Sequence, residues 1–320
     1  MNAVMTGKGA FYYSIQGTAE GTGYNIIYQD SEGRDFQPEI EALLADFERS
    51  VSVYDETSLI SRINRNEDAE TDHYFETVFN KAKEISMLTE GAFDISAEPL
   101  FRAWGFSFRE KDIPDEEKIN SLKEYIGMDK VKIKDKRVVK SDPGIVLNAN
   151  AIAKGYSADM IADFLEKRGS FDYLVEIGGE IRLKGENATG EAWRIGIDRP
   201  AEDNPIPGQD LQVILQITGK GIATSGNYRQ FYIEGGQKIA HTINPATGYP
   251  VKHNLLSATV IAKDTITADA FATAFMVAGI EKALEWVQKF PELDALFICD
   301  EDGEYKIYYT PGIENNLVPV

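Results

Sequence analysis

Two strand-like runs, Tyr173 to Ile177 and Glu180 to Lys184, are separated by Gly178-Gly179 alone. A two-residue connection can join only antiparallel neighbours, because a parallel crossover needs a dozen residues or more. The same strand-to-strand succession continues through Trp193 to Ile197, Leu211 to Ile217, Gln230 to Ile233 and Ser257 to Ala262, with two last strands around Leu296 and Ile307. Tyr24 to Tyr28 reads as an opening strand fed by a Gly-rich turn. Helical spacing is confined to other stretches. Ile40, Leu43, Leu44 and Phe47 recur within Pro38 to Val51, and Val78, Ala82, Ile85 and Leu88 repeat the pattern. A third helix is predicted from near Ala151 to Lys167, ended by Gly169, and a fourth from near Thr267, continuing past Gly279 into Ile280 to Lys289. Strands in succession and helices in clusters predict an α+β fold with a largely antiparallel sheet, not a regular βαβ winding. No repeat or linker divides the chain, so residues 1–320 read as a single domain. The charged stretch Arg109 to Lys123 reads as an exposed insertion, and residues 1–10 as a disordered start or the remnant of a removed segment.

Composition narrows the function classes. With 320 residues and 43% apolar content the chain can bury a large core. Its 33 basic against 52 acidic residues give a net charge of −19, which opposes nucleic acid and anionic lipid as partners. A phosphate-bearing ligand then needs local help from lysine, backbone N–H groups or a metal. The single cysteine, Cys299, lies in the apolar run Ala295 to Cys299, is assigned to packing, and excludes internal disulfides and cysteine-cluster metal sites. No apolar run reaches the roughly 18 residues of a membrane span, and Met1 to Ala10 has no apolar signal core.

Several segments carry candidate chemistry. In Thr267-Ala268-Asp269-Ala270-Phe271-Ala272-Thr273, Asp269 and Thr273 stand four apart and share one helix face. There they can offer oxygen ligands to a hard divalent cation while first-turn N–H groups attract a phosphate; the alternative is a helix capped by Thr267. Gln16-Gly17-Thr18 allows close backbone approach, and Gly91 at a helix end leads into Ala92-Phe93-Asp94, either a polar pocket or a plain C-cap. In Asn148 to Asp159, small residues surround Lys154, which either neutralises a phosphate or reaches solvent from a closely packed helix. His241 precedes the turn Asn244-Pro245-Ala246-Thr247-Gly248 and is a candidate general base or a structural histidine.

Read together in this order, with Ser52-Val53-Tyr54-Asp55-Glu56-Thr57-Ser58, Ile177-Gly178-Gly179-Glu180 and Thr224-Ser225-Gly226-Asn227-Tyr228, these segments resemble the ApbE family, the flavin transferases formally called FAD:protein FMN transferases. The resemblance implies a T-fold-like α+β domain. It also implies a Mg2+-dependent enzyme that moves the FMN half of FAD onto a threonine hydroxyl of another protein and releases AMP. By the family motifs, Asp269 and Thr273 hold the metal with backbone oxygens at Ala151 and Ala272. Gln16, Tyr54, Ala92, Phe93, Asp94, Asn148, Lys154 and Ile243 fall where the family contacts FAD, and His241 with Asp269 carries the catalysis. Two positions depart: the family commonly has Asp where Asn148 stands and Met where Gln16 stands. Water in place of threonine would make the enzyme an FAD pyrophosphatase giving FMN and AMP, and loss of chemistry would leave an FAD-binding protein. The implied acceptors are flavin-carrying subunits of sodium-pumping NADH:quinone oxidoreductase, Rnf-type or related electron-transfer systems. The implied location is the periplasm or outer face of the cell envelope, with a lipid anchor in the precursor.

Overall fold

The computed structural model describes residues 2–5, 11–106, 113–200, 208–227, 231–234 and 237–319. The chain opens with β1 (Asn2–Met5), β2 (Phe11–Ala19) and β3 (Thr22–Asp30), followed by α1 (Gln37–Val51), α2 (Leu59–Asn64), α3 (His73–Leu88), α4 (Glu98–Ala103) and α5 (Glu116–Lys123). A hairpin of β4 (Val131–Lys134) and β5 (Arg137–Lys140) leads to α6 (Ala153–Lys167), then to β6 (Tyr173–Ile177), β7 (Glu180–Lys184), β8 (Trp193–Asp198), β9 (Leu211–Ile217) and β10 (Lys220–Gly226). The hairpin of β11 (Phe231–Glu234) and β12 (Gln237–Ala240) precedes β13 (Leu255–Ala262), α7 (Thr265–Ala278) and α8 (Ile280–Lys289). The chain ends with β14 (Asp294–Glu301), β15 (Glu304–Tyr309), α9 (Pro311–Glu314) and β16 (Leu317–Val318).

Nine strands form the main sheet in the order β1-β2-β3-β6-β7-β10-β13-β14-β15, and each neighbouring pair is antiparallel. Alternation along the strands decides which layer each side chain enters. On β14, Ala295, Phe297 and Cys299 face a core shared with α3, α7 and α8, whereas Leu296 and Ile298 face the small sheet β16-β9-β8. Both faces are covered, which is why this run is continuously apolar. Tyr173, Val175 and Ile177 of β6 likewise face α1 and α6, with Leu174 on the other side. Cys299 is a buried packing residue, as expected. No helix among the described residues is long and apolar enough to cross a membrane.

The predicted Gly178-Gly179 hairpin is present, with φ of +62° and +101°, a conformation that glycine adopts without Cβ strain. The structure adds two strand assignments and changes one expectation. The Gln16-Gly17-Thr18 segment lies within the nine-residue strand β2, and the turn expected before Tyr24 falls at Glu20-Gly21. Ala223 to Gly226 is part of β10, a central strand paired on both sides with β7 and β13. Its small residues hide the usual β signature because α7 lies directly on it: a Cβ at Gly221 would run into the Thr265 backbone. Within the predicted Arg109–Lys123 insertion, α5 buries Ile119 against Leu100 and Ile243, so that part is packed. Residues 109–112 of that stretch lie outside the described residues, as do Met1, residues 6–10, Tyr228 and Gln230.

Candidate functional site

Helix α7 begins at Thr265, two residues before its predicted start, and Asp264 is its N-cap, not Thr267. The Asp264 carboxylate accepts from Thr267 N–H at 3.2 Å, and Asp159 of α6 accepts from the N–H groups of Thr265 and Ile266 at 2.8 Å each. The Ala268 N–H reaches Asp264 O at 3.3 Å. All four first-turn donors are thus taken by protein, so this helix end does not present the expected phosphate-binding N–H groups. Burial and the neighbouring Asp264 charge push Asp159 up to about 6, against the pull of the two helix N–H groups and Arg182.

Asp269 sits one turn further in and is buried. Its Oδ2 accepts from Gly155 N–H, in the first turn of α6, at 2.9 Å. The two helices meet at a glycine for a steric reason: a Cβ on Gly155 would lie 2.6 Å from Thr265 O and 2.7 Å from Asp269 Cβ. In an uninterrupted helix the Gly155 N–H would bond Ala151 O. Here it serves Asp269 instead, and among the described residues no hydrogen bond reaches the Ala151 carbonyl. The Thr273 hydroxyl lies one turn beyond Asp269, 3.4 Å from Ser225 Oγ of β10, and Ala272 beside it is wholly buried in the main core.

A buried charge cluster adjoins this crossing. Lys154 Nζ and Glu180 Oε2, after the Gly178-Gly179 turn, pair at 2.7 Å, so Lys154 does not simply extend to solvent. Burial works against the Lys154 ammonium, but Glu180, Asp269 and Glu20 outweigh it and hold its pKa above the usual value. Asp269 is pushed well up by burial and by the Glu180 charge, and Glu180 is raised by burial against the pull of Lys154. Glu20, in the β2–β3 turn at φ +52°, is pushed up to about 7 by burial, with Lys154 opposing and Glu48 and Glu180 adding. Three carboxylates therefore surround one ammonium, an imbalance that protons or a cation must neutralise.

Carboxylate, unbonded backbone carbonyl and hydroxyl form an all-oxygen donor set, which fits a hard cation such as Mg2+. Among the described residues no group of three or more His, Cys, Asp or Glu is arranged to hold a metal. An ion held here would rely on Asp269, main-chain oxygen, hydroxyl and water, in keeping with the reluctance of Mg2+ to shed its hydration shell.

Apart from Gln16, the remaining predicted residues lie on segments that adjoin this centre through short steps. Asn148, six residues before Lys154, donates its N–H to Ile95 O at 2.7 Å, next to Ala92-Phe93-Asp94. Asn150 Nδ2 donates to Tyr54 Oη at 3.0 Å, and Tyr54 is 68% exposed. Phe93 is buried in the main core. Asp94 is turned inward: it accepts from Ser96 N–H and Oγ at 2.8 and 2.5 Å and from Met128 N–H at 3.2 Å, and burial raises its pKa despite these bonds. Ile243 is buried with Ala97, Leu100 and Trp104. That contact anchors the His241 loop, where Trp104 Nε1 also donates to Gly248 O at 2.8 Å. The half-buried His241 meets Phe106 edge-on, ring centroids 6.3 Å apart. Beside it, Thr242 Oγ1 donates to Asn227 Oδ1, two residues past the Ser225 that meets Thr273. Gln16 contacts its cross-strand partner Asn25, with Nε2 to Oδ1 at 3.4 Å, and among the described residues no hydrogen bond ties it to the crossing. Sequence reasoning assigned no role to Glu20, Glu180, Gly155 or Ser225. Only the glycines beside Glu20 and Glu180 hinted at turns that deliver side chains.

An oxygen-lined helix crossing beside a half-buried, ion-paired lysine marks this part of the molecule. The sequence matches the ApbE family over residues 20–297. A relative from Vibrio cholerae serotype O1, called FAD:protein FMN transferase, is 35% identical over 310 residues, 94% of this chain and 91% of that protein. The structure of "Flavin Transferase ApbE from Vibrio cholerae" superposes with a TM-score of 0.86 at 34% identity, covering 96% of this chain and 100% of the other. That of Pseudomonas stutzeri flavinyl transferase ApbE, apo form, gives 0.86 at 30%, covering 97% and 98%. The chain belongs to the ApbE family, with the α+β architecture expected of it.

Proposed function

We propose that this protein is a Mg2+-dependent FAD:protein FMN transferase, moving FMN from FAD to a threonine hydroxyl of an acceptor protein with release of AMP. The observation that carries the reading is the Gly155–Asp269 bond, which holds a carboxylate at the helix crossing and leaves the Ala151 carbonyl open. The name FAD:protein FMN transferase, borne by the relatives, points the same way. Asp269, Thr273, Ala151 O and the Ala272 backbone would hold Mg2+, which when bound neutralises diphosphate charge and stabilises the departing AMP. Lys154, fixed by Glu180, adds a second positive charge toward the phosphates. Gln16, Tyr54, Ala92, Phe93, Asp94, Asn148 and Ile243 would line the dinucleotide site.

The threonine oxygen attacks the FMN-side phosphorus, a new P–O bond forms, the P–O bond to AMP breaks, and the hydroxyl proton passes to His241. The acceptor would present its threonine in a short flexible segment, as in flavin-carrying subunits of NADH:quinone oxidoreductase or Rnf-type systems at the outer face of the cell envelope. Incubating the protein with FAD, with and without Mg2+, and a threonine-containing acceptor domain tests the reading. Mg2+-dependent AMP with a flavinylated threonine is expected. AMP with only free FMN would make it a pyrophosphatase, and bound FAD without AMP a binding protein.

A further inference from the structure

The loop entering α6 rests on a buried carboxylate that the chemistry above does not use. Glu98, the first residue of α4, is 3% exposed, and its Oε2 accepts from Asn148 Nδ2 at 2.7 Å. Asn148 Oδ1 accepts from Asn150 N–H at 2.9 Å. A carboxylate oxygen facing a side-chain amide at this distance requires the nitrogen, and a backbone N–H requires the oxygen. The two partners together therefore fix which way the Asn148 amide faces. Asn150 extends the chain of bonds to the exposed Tyr54 ring. Arg102 Nη2 lies 3.8 Å from Glu98 Oε1, beyond hydrogen-bond range, so this ion pair is a looser restraint than the bond to Asn148. After these commitments the half-buried amide keeps one N–H for a ligand.

We propose that Glu98 is a positioning residue of the dinucleotide site: it aims the Asn148 amide so that position 148 donates a hydrogen bond to an acceptor atom of bound FAD. The inference rests on the reading that Asn148 lines that site. It separates two roles that the chemistry at 148 serves, holding the loop and addressing the ligand. Asn148→Asp sets carboxylate against carboxylate and damages both. Adding Glu98→Gln restores a donor–acceptor pair with its direction reversed, and Asn150 N–H still has an oxygen to meet. The loop is then repaired, but position 148 can only accept.

The test is equilibrium titration with FAD, followed by flavin fluorescence in Mg2+ buffer, beside thermal unfolding of the same full-length chains: wild type, Glu98→Ala, Asn148→Asp and the double variant Glu98→Gln/Asn148→Asp. Glu98→Ala and Asn148→Asp should each weaken FAD binding by about tenfold, the scale of one charge-assisted hydrogen bond. The double variant should regain the wild-type Tm and remain about tenfold weaker for FAD. Should Glu98→Ala fail to fold, the double variant carries the test. Wild-type affinity in Glu98→Ala, or recovery of Tm and affinity together in the double variant, overturns the inference alone. A wild-type protein that binds no FAD overturns the parent reading and this inference with it.

Discussion

The Gly155 N–H donates to Asp269 Oδ2 at 2.9 Å, so one backbone group both orients the carboxylate and leaves Ala151 O without its helical partner. Gly155→Ala forces the α6–α7 crossing apart, since the new methyl carbon would stand 2.6 Å from Thr265 O. The expected cost is about 1–3 kcal/mol of stability. Denaturant unfolding should show it, and Mg2+-dependent AMP release should fall further than the stability loss explains.

Asp269→Asn keeps the size of the side chain and removes its charge. Mg2+-dependent AMP release should drop by at least ~100-fold, while the apoprotein, relieved of a buried carboxylate, unfolds at an equal or higher temperature. Turnover that stays at the wild-type level would remove Asp269 from the metal site.

His241→Ala should slow flavin transfer by about 100-fold or more, the scale of a lost general base. Its FAD dissociation constant should stay within about threefold of wild type, since the proposed role concerns the acceptor hydroxyl. Equal losses in both would make the half-buried ring beside Phe106 a packing residue.

Lys154→Ala strands Glu180, a buried carboxylate whose ammonium partner stands 2.7 Å away, and should cost about 3–5 kcal/mol. Lys154→Met combined with Glu180→Gln should recover most of that stability and none of the FAD affinity. Chemical denaturation and FAD titration on the same samples separate the two effects.

Glu20 gives the fold a pH dependence of definite sign. Its folded pKa, raised from 4.5 to about 7, means that the fold favours the protonated acid. That contribution is complete below pH 4.5 and is lost as pH rises through about 7. Glu20→Gln should therefore stabilise the metal-free protein at pH 8 by on the order of 2–3 kcal/mol relative to its effect at pH 4.5. Equal Tm shifts at both pH values would contradict the burial of this carboxylate.

Much of the architecture was legible because it depends on local chemistry. Gly178-Gly179 can only turn, the helical spacing of α1 and α3 repeats without interruption, and the apolar run Ala295 to Cys299 reads as a packed strand. β10 escaped because the close approach of α7 selects small residues there, erasing the β-branched signature. The start of α7 was misplaced because its cap is decided by two aspartates, and Asp159 is more than a hundred residues away in the chain.

The sequence by itself determined the antiparallel α+β plan and the family likeness, through turn residues, hydrophobic periods and an ordered set of short motifs. It also placed Asp269 and Thr273 on one helix face, a matter of spacing alone. Only the tertiary structure decided which first-turn donors were already taken, that Lys154 answers to Glu180, that Glu20 approaches this pair, and that Glu98 meets Asn148. Those relations join residues distant along the chain, and packing sets their distances and dielectric surroundings; neither is encoded in any local stretch.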